Sequence, residues 1–336
     1  MQAPRALACY ETEPWEEAYL RERLADLEVR ATAATLTADT LDLARDAELL
    51  SVFIHSRVGA DLLAQLPRLR FVATRSTGYD HIDLAACQAR DIAVSNVPTY
   101  GENTVAEHTF GLILALSRKI HQAYVRTVRG DFSLAGLRGF DLKGRTLGVV
   151  GTGNIGLHVV RIGRGFGMEV LAHDVREQHL LAEVLGFRYV ALDDLIAQAD
   201  VVTLHVPYFP ATRHLINRER LGHMKRGSLL INTARGGLVD TEALLWALDE
   251  GILAGAGLDV IEGEELIGEE RQLLRQGVAP EQLQTALRGH LLLQRENVIF
   301  TPHIAFYSAE ALQRILDTTV ANVRAFLAGN PGNLVS

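Results

Sequence analysis

The chain has little of what would tie it to a metal, a membrane or a nucleic acid. Its two cysteines, Cys9 and Cys87, lie far apart in 336 residues, and neither has a Cys or His at ligand spacing beside it. A disulfide framework and a zinc ribbon are both excluded, no metal is expected, and a reducing cytoplasm is the expected compartment. No stretch approaches the ~18–20 apolar residues that a bilayer span needs, and the apolar run from Phe110 to Leu116 soon meets Arg118 and Lys119. The segment from Met1 to Pro14 lacks the apolar core of a secretory signal. Charge comes in no block of one sign: 33 basic against 41 acidic residues give a net charge of −8, so neither nucleic acid nor a membrane surface is an expected partner. No internal repeat or low-complexity tract appears. What remains is 48% hydrophobic and 22% charged, enough to bury the cores of two ordinary domains.

Short apolar runs alternate with amphipathic stretches. Ala6 to Tyr10, Val29 to Ala34, Leu50 to His55, Phe71 to Thr74 and Ile92 to Val97 read as strands, with a charged helix from Trp15 to Leu27 between the first two. Near residue 100 the rhythm breaks at Asn96-Val97-Pro98-Thr99-Tyr100-Gly101. There Thr104-Val105-Ala106-Glu107 reads as a capping box that opens a long helix toward Arg129. A second alternation starts at Thr146 and continues through Val170 to His173, Val201 to Val206, Leu229 to Asn232, Gly255 to Val260 and Val298 to Thr301. Apolar strands separated by helices predict α/β domains with parallel sheets covered on both faces. The spacing predicts a last helix from Ala309 to Leu327, and periodicity alone leaves open whether it returns to the first domain with the second as an insertion. The expected division is 1–101 with 306–336, and 102–305.

The sharpest local signal is Gly151-Thr152-Gly153-Asn154-Ile155-Gly156, a G-x-G-x-x-G that follows a strand and opens a helix. Such a loop lets backbone amides approach a pyrophosphate at the positive end of the helix. Asp174 ends the next strand, 18 residues after Gly156, near the ~20 expected for the carboxylate that binds the adenosine ribose. NAD is favoured over NADP, although Arg176 is of the type that accepts a 2′-phosphate.

Three residues follow later strands. Arg235 lies in Asn232-Thr233-Ala234-Arg235-Gly236-Gly237, where a planar guanidinium suits a carboxylate; Glu264 follows Asp259; His303 follows Pro302. Each has a plainer reading, as a surface ion pair, a solvated acidic turn and a backbone-bonded ring. Together, on the edge that carries the dinucleotide loop, they supply an anion clamp, a proton donor and a group that tunes the donor.

With these residues the chain resembles the D-isomer-specific 2-hydroxyacid dehydrogenases, and within them the bacterial D-lactate branch. The resemblance rests on Ser76-Thr77-Gly78-Tyr79-Asp80-His81-Ile82-Asp83, Val97 to Tyr100 with Val105 to His108, the Gly151 to Gly156 loop, Thr233 to Gly236, the Asp259 to Glu264 spacing and Thr301 to His303. It implies two doubly wound parallel-sheet domains, a Rossmann NAD-binding domain inserted into a flavodoxin-like substrate domain. It implies that Arg235 binds the substrate carboxylate, that His303 exchanges a proton with the 2-keto oxygen, and that Glu264 hydrogen-bonds the imidazole. It implies substrate contacts from Thr77, Gly78, Tyr79, Tyr100 and Phe306 as well as Arg235 and His303. For NAD it implies Gly151, Gly153, Asn154, Ile155, Gly156, Asp174, His205, Val206, Pro207, Thr233, Ala234, Arg235, Asp259 and His303.

The expected reaction is reduction of pyruvate to D-lactate by NADH, with hydroxypyruvate, glyoxylate or a bulkier or dicarboxylic acid as alternative substrates. Arg57 and Arg75 are candidates for a second anionic group. An NAD-gated scaffold like the C-terminal-binding-protein corepressors is the alternative of another class. Phosphite oxidation is disfavoured because no Lys lies between Ser76 and Asp83. The polar stretch from Glu269 to Gln276 and the segment from Pro280 to Leu293 read as a loop of the lactate type. A homodimer is expected, through the apolar helix from Thr104 and the arm Phe132-Ser133-Leu134.

Overall fold

The structure is a computed structural model that describes residues 5–264 and 280–335. The stretch expected over Glu269 to Gln276 lies outside the described residues. The chain divides into two units, Met1–Tyr100 with Ser308–Ser336, and Gly101–Tyr307.

The first unit is built on β1 (Ala6–Cys9), β2 (Glu28–Ala31), β3 (Leu49–Val52), β4 (Phe71–Thr74) and β5 (Ala93–Ser95). They are parallel, in the order β2-β1-β3-β4-β5, the order of flavodoxin-like sheets. Strands β1, β3 and β4 are buried at every residue because both faces are covered. Alternate side chains enter opposite layers. Ala6, Ala8, Leu50, Val52 and Val72 share one core, and Leu7, Cys9, Leu49, Phe71 and Ala73 share the other with Leu20 and Leu24. The helix Ala309–Leu327 closes that second layer with Leu316 and Val323. Its Phe326 stacks on Phe71 at 4.5 Å between ring centres, and Asn322 Nδ2 donates to the Asn96 carbonyl at 2.8 Å. Each fully buried Leu or Val there is worth about 1.5–3 kcal/mol.

Arg75 corrects one expectation. It is only 2% exposed, and its guanidinium donates to the Tyr10 and Glu11 carbonyls, both at 2.7 Å, and to Ser51 Oγ at 3.1 Å. Those bonds spend it on the strand ends, so it offers no fork to an anion.

The second unit holds β6 (Thr146–Val150), β7 (Glu169–His173), β8 (Arg188–Tyr189), β9 (Val201–Leu204), β10 (Ser228–Asn232), β11 (Leu253–Leu258) and β12 (Val298–Phe300). All are parallel, in the order β12-β11-β10-β9-β6-β7-β8, the Rossmann arrangement extended by one strand. Strand β8 is two residues long, too short to leave a period in the sequence. The helix expected from Thr104 to Arg129 is two helices, Glu102–Ser117 and Ile120–Val128. Lys119 lies between them with φ +53°, a left-handed conformation that ends a helix. The first is capped at Gly101 and buries Val105, Phe110, Leu112, Ile113 and Leu116. Its apolar face is therefore core.

Candidate active site

Six strands of the second sheet each carry an expected site residue just past their carboxyl ends. Gly151 follows β6, Asp174 follows β7, His205 follows β9, Thr233 follows β10, Asp259 follows β11, and His303 stands three residues past β12. In a parallel sheet these ends form one edge, and ligands bind where the strand order reverses, here between β6 and β9.

At that reversal Gly151 adopts φ +98°, and a Cβ there would stand 2.6 Å from the His205 carbonyl oxygen. A Cβ on Gly156 would stand 1.9 Å from the Gly151 carbonyl. Only glycine lets this loop lie so close to its own helix. The helix Asn154–Gly165 begins at Gly153 with no side-chain cap, so the amide end that Asn154 and Ile155 open is left to a ligand.

Asp174 accepts hydrogen bonds from the Thr152 amide at 2.6 Å, the Thr152 hydroxyl at 3.2 Å and the Arg176 amide at 2.9 Å. Burial alone would raise its pKa, but the bonds from Arg176 and Thr152 outweigh it and hold the carboxyl below its usual range. His205 presents the opposite case. Its Nε2 lies 2.9 Å from Thr203 Oγ1, while its Nδ1 is enclosed without a hydrogen-bond partner among the described residues. Burial pushes the imidazole pKa down to about 3, so the ring is neutral. Val206 is half-buried against Gly151, and Pro207 is exposed. An uncapped helix start, a loop with no room for a Cβ, an ionised carboxylate at the next strand end and an orphaned buried nitrogen together fit a dinucleotide.

Arg235 sits in a turn that Asn232 builds. Asn232 Nδ2 donates to the Arg235 carbonyl at 2.9 Å, and its Oδ1 accepts from the Ala234 amide at 3.1 Å. The Thr233 hydroxyl meets that of Thr109 at 3.1 Å. The Arg235 side chain is half-buried and donates to the Ala234 carbonyl at 2.8 Å.

His303 Nδ1 lies 3.3 Å from Glu264 Oε1, with side chains 28% and 34% exposed. The expected pair is brought together. Glu264 is itself folded back, its Oε2 accepting from the Ile261 amide at 3.2 Å. His303 has φ +53°, a strained conformation for a residue with a side chain, costing on the order of 1 kcal/mol.

Asp259 holds that strain. It is expected among the NAD contacts, and its side chain is 0% exposed. Its carboxylate accepts from Thr301 Oγ1 at 2.5 Å and from the amides of Ile304 at 3.0 Å and Ala305 at 2.9 Å. His108 closes the group, its Nε2 3.0 Å from Thr301 Oγ1 and 3.5 Å from Asp259. His108, Thr301 and Asn232 support the site without having been singled out for it. All three stand inside the motifs given above, and Asn232 is in addition a buried polar residue at a strand end. Phe306, in the same turn, is buried with the Tyr307 ring edge-on.

The remaining expected substrate residues belong to the first unit. Thr77, Gly78 and Tyr79 form the turn after β4, fixed by Ser76 Oγ to the Gly78 carbonyl at 2.6 Å and Thr77 Oγ1 to the Val97 carbonyl at 2.8 Å. Tyr79 is exposed and Tyr100 half-buried.

Residues 110–305 match the NAD binding domain of the D-isomer specific 2-hydroxyacid dehydrogenase family. The chain belongs to this family. A D-lactate dehydrogenase of Escherichia coli is 36% identical over 335 residues, covering 98% of this chain and 99% of its own. A glycerate dehydrogenase of Methylorubrum extorquens is 41% identical over 285 residues, 82% of each chain. The solved D-lactate dehydrogenase of Aquifex aeolicus, complexed with NAD and lactic acid, superposes with a TM-score of 0.87 at 39% identity over 98% of both chains. The protein is thus an oxidoreductase of the NAD-dependent 2-hydroxyacid dehydrogenases, and it carries their NAD-binding domain. Among the described residues no group of three His, Cys, Asp or Glu is placed to hold a metal ion, and no helix is long and apolar enough to cross a membrane.

Proposed function

We propose that the protein reduces pyruvate to D-lactate. The observation that carries this reading is the placement of Arg235 and the His303–Glu264 couple on the sheet edge that also holds the Gly151 loop. Bound NADH supplies the hydride. Arg235 binds the substrate carboxylate and orients the keto carbon. Glu264 engages Nδ1 of His303 and fixes the ring, so Nε2 is the atom that gives its proton to the keto oxygen. Gly101–Tyr307 serves as the NAD-binding domain. The other unit serves as the substrate domain, in which Thr77, Gly78, Tyr79 and Tyr100 contact the acid.

Hydroxypyruvate is the second reading, favoured by the 41% identity to a glycerate dehydrogenase. The test is NADH consumption against pyruvate, hydroxypyruvate, glyoxylate, oxaloacetate, phenylpyruvate and 2-ketoisocaproate, with chiral analysis of the product. Pyruvate should be turned over fastest, to D-lactate. Preference for hydroxypyruvate would keep the roles and move the substrate, and inactivity across the panel with NADH still bound would remove the dehydrogenase reading.

We place the protein in the cytoplasm, where its two buried free thiols, Cys9 and Cys87, stay reduced. We assign the homodimer to the helix Ile120–Val128, which buries none of its residues, and to the arm after it. Ile120, Tyr124, Val128, Phe132 and Leu134 are all exposed there. Sedimentation should give twice the chain mass, and Tyr124→Glu should give monomers.

A further inference from the structure

A further histidine–carboxylate pair lies in the same unit, outside the roles assigned above. His214 Nε2 lies 2.8 Å from Glu262 Oε1, with side chains 30% and 27% exposed. His214 has φ +49°, a conformation that a residue with a side chain adopts only where its surroundings impose it. Its amide donates to the Gly237 carbonyl at 2.9 Å. Two residues later, Ile216 donates to the Leu238 carbonyl and accepts from the Asp240 amide, both at 3.0 Å. The segment after Pro207 is thus zipped onto the segment that carries Arg235. Glu262 fastens the third strand of chain. Its Oε2 accepts from Thr241 Oγ1 at 3.4 Å, and it stands two residues before Glu264. Between the two segments there is no slack, since a Cβ on Gly236 would come within 2.2 Å of the Ile261 carbonyl.

We propose that His214 and Glu262 are a positioning pair that fixes Arg235 relative to Glu264, and through Glu264 relative to His303. The proposal rests on the roles given above to Arg235 and Glu264. A short, partly shielded bond between a ring N–H and a carboxylate is stronger than an exposed ion pair. It acts here where the three loops meet. Loss of the pair leaves the sheet and the Gly151 loop intact but lets the Arg235 turn shift against the Ile261–Glu264 turn. The keto acid, held by Arg235 and protonated by the His303 couple, is then misaligned, while NADH binding is spared.

The test compares Glu262→Leu and His214→Phe with Glu262→Gln, which keeps an acceptor for His214 Nε2–H. Steady-state kinetics with pyruvate and NADH is run beside hydrogen–deuterium exchange on the full chain. Glu262→Leu should both raise KM for pyruvate and lower kcat, together about tenfold or more in kcat/KM, with the KM for NADH changed less than about threefold. Glu262→Gln should restore most of that loss. Exchange should quicken over 213–216 and 235–240 and stay unchanged over 146–160. A uniform fall in kcat with both KM values unchanged and no rescue by Gln would mean a merely structural pair and overturn the proposal, as would unaltered exchange over 235–240. Exchange needs no turnover, so a wild-type protein inert to every keto acid would remove the dehydrogenase reading and leave the pair to be judged on exchange alone.

Discussion

The two parallel sheets obey one topological rule and use it in opposite ways. In each, the strand order reverses beside the first strand of its unit, between β6 and β9 in the seven-stranded sheet and between β1 and β3 in the five-stranded one. At the first reversal the chain leaves backbone and side-chain groups unspent, namely the uncapped start of the helix Asn154–Gly165 and the unpartnered Nδ1 of His205. At the second it spends everything on itself. Glu11, with φ +54°, fills the loop after β3 with its own carboxylate, accepting from the amides of Phe53, His55 and Ser56 at 2.9–3.1 Å. Arg75 donates to two carbonyls and a hydroxyl beside it. A crevice at a switch point is therefore permission to bind, and the polar groups at the strand ends decide whether a ligand or the chain's own side chains take it.

The largest effects should come from the open edge. His303→Ala should lower kcat by roughly 10²–10⁴-fold, the usual worth of a general acid, with NADH binding retained by fluorescence titration. Arg235→Lys replaces a planar fork with a point charge and should raise KM for pyruvate by about a hundredfold with a smaller change in kcat. Equal losses in both parameters for both variants would mean that the two residues do not divide the work as proposed. The closed edge should answer in stability instead. Arg75→Met takes a charged donor from each of the Tyr10 and Glu11 carbonyls and should cost about 3 kcal/mol in urea unfolding, with kcat per folded molecule unchanged. A raised KM at full stability would return Arg75 to the substrate site.

What the sequence made legible follows the same division. The strand cores, the glycine loop and the helix Ala309–Leu327 are written as local patterns: apolar runs, a fixed spacing and a 3.6-residue period. So are Arg235, Glu264 and His303, because each directly follows a strand or a turn signature. What was not legible depends on contacts distant in sequence. Arg75 reads as a free cation until β1 and β3 bring Tyr10, Glu11 and Ser51 to it. The bonds that bury Asp259 come from Thr301, Ile304 and Ala305, 42–46 positions away, and the break at Lys119 is a backbone conformation with no residue signature, since lysine is no αL former. The His214–Glu262 pair spans 48 positions and joins three loops, so neither residue announces the other.

The smallest effect, and the sharpest on the comparison, is acid. Both units bury a titratable group near their first strands, with opposite signs. Glu16 is raised by burial, which outweighs the pull of Arg75, so the folded state binds its proton more readily than the unfolded chain. Its contribution is fully present below the unfolded pKa and is lost as pH rises through the folded value. His205 is lowered by burial from 6.5 to about 3. Between those values the unfolded chain binds the extra proton, so stability is complete above pH 6.5 and is lost as pH falls toward 3, by on the order of 2 kcal/mol at pH 5. Moving from pH 7.5 to pH 5 should therefore quicken hydrogen exchange over 146–160 and 201–207 more than over β1, β3 and β4. His205→Asn should flatten the response of the first two segments and leave the strands of the other sheet as they were. Equal acid sensitivity in wild type and His205→Asn would show that the ring relaxes into solvent before it charges, and the open edge would then owe its groups to the ligand alone.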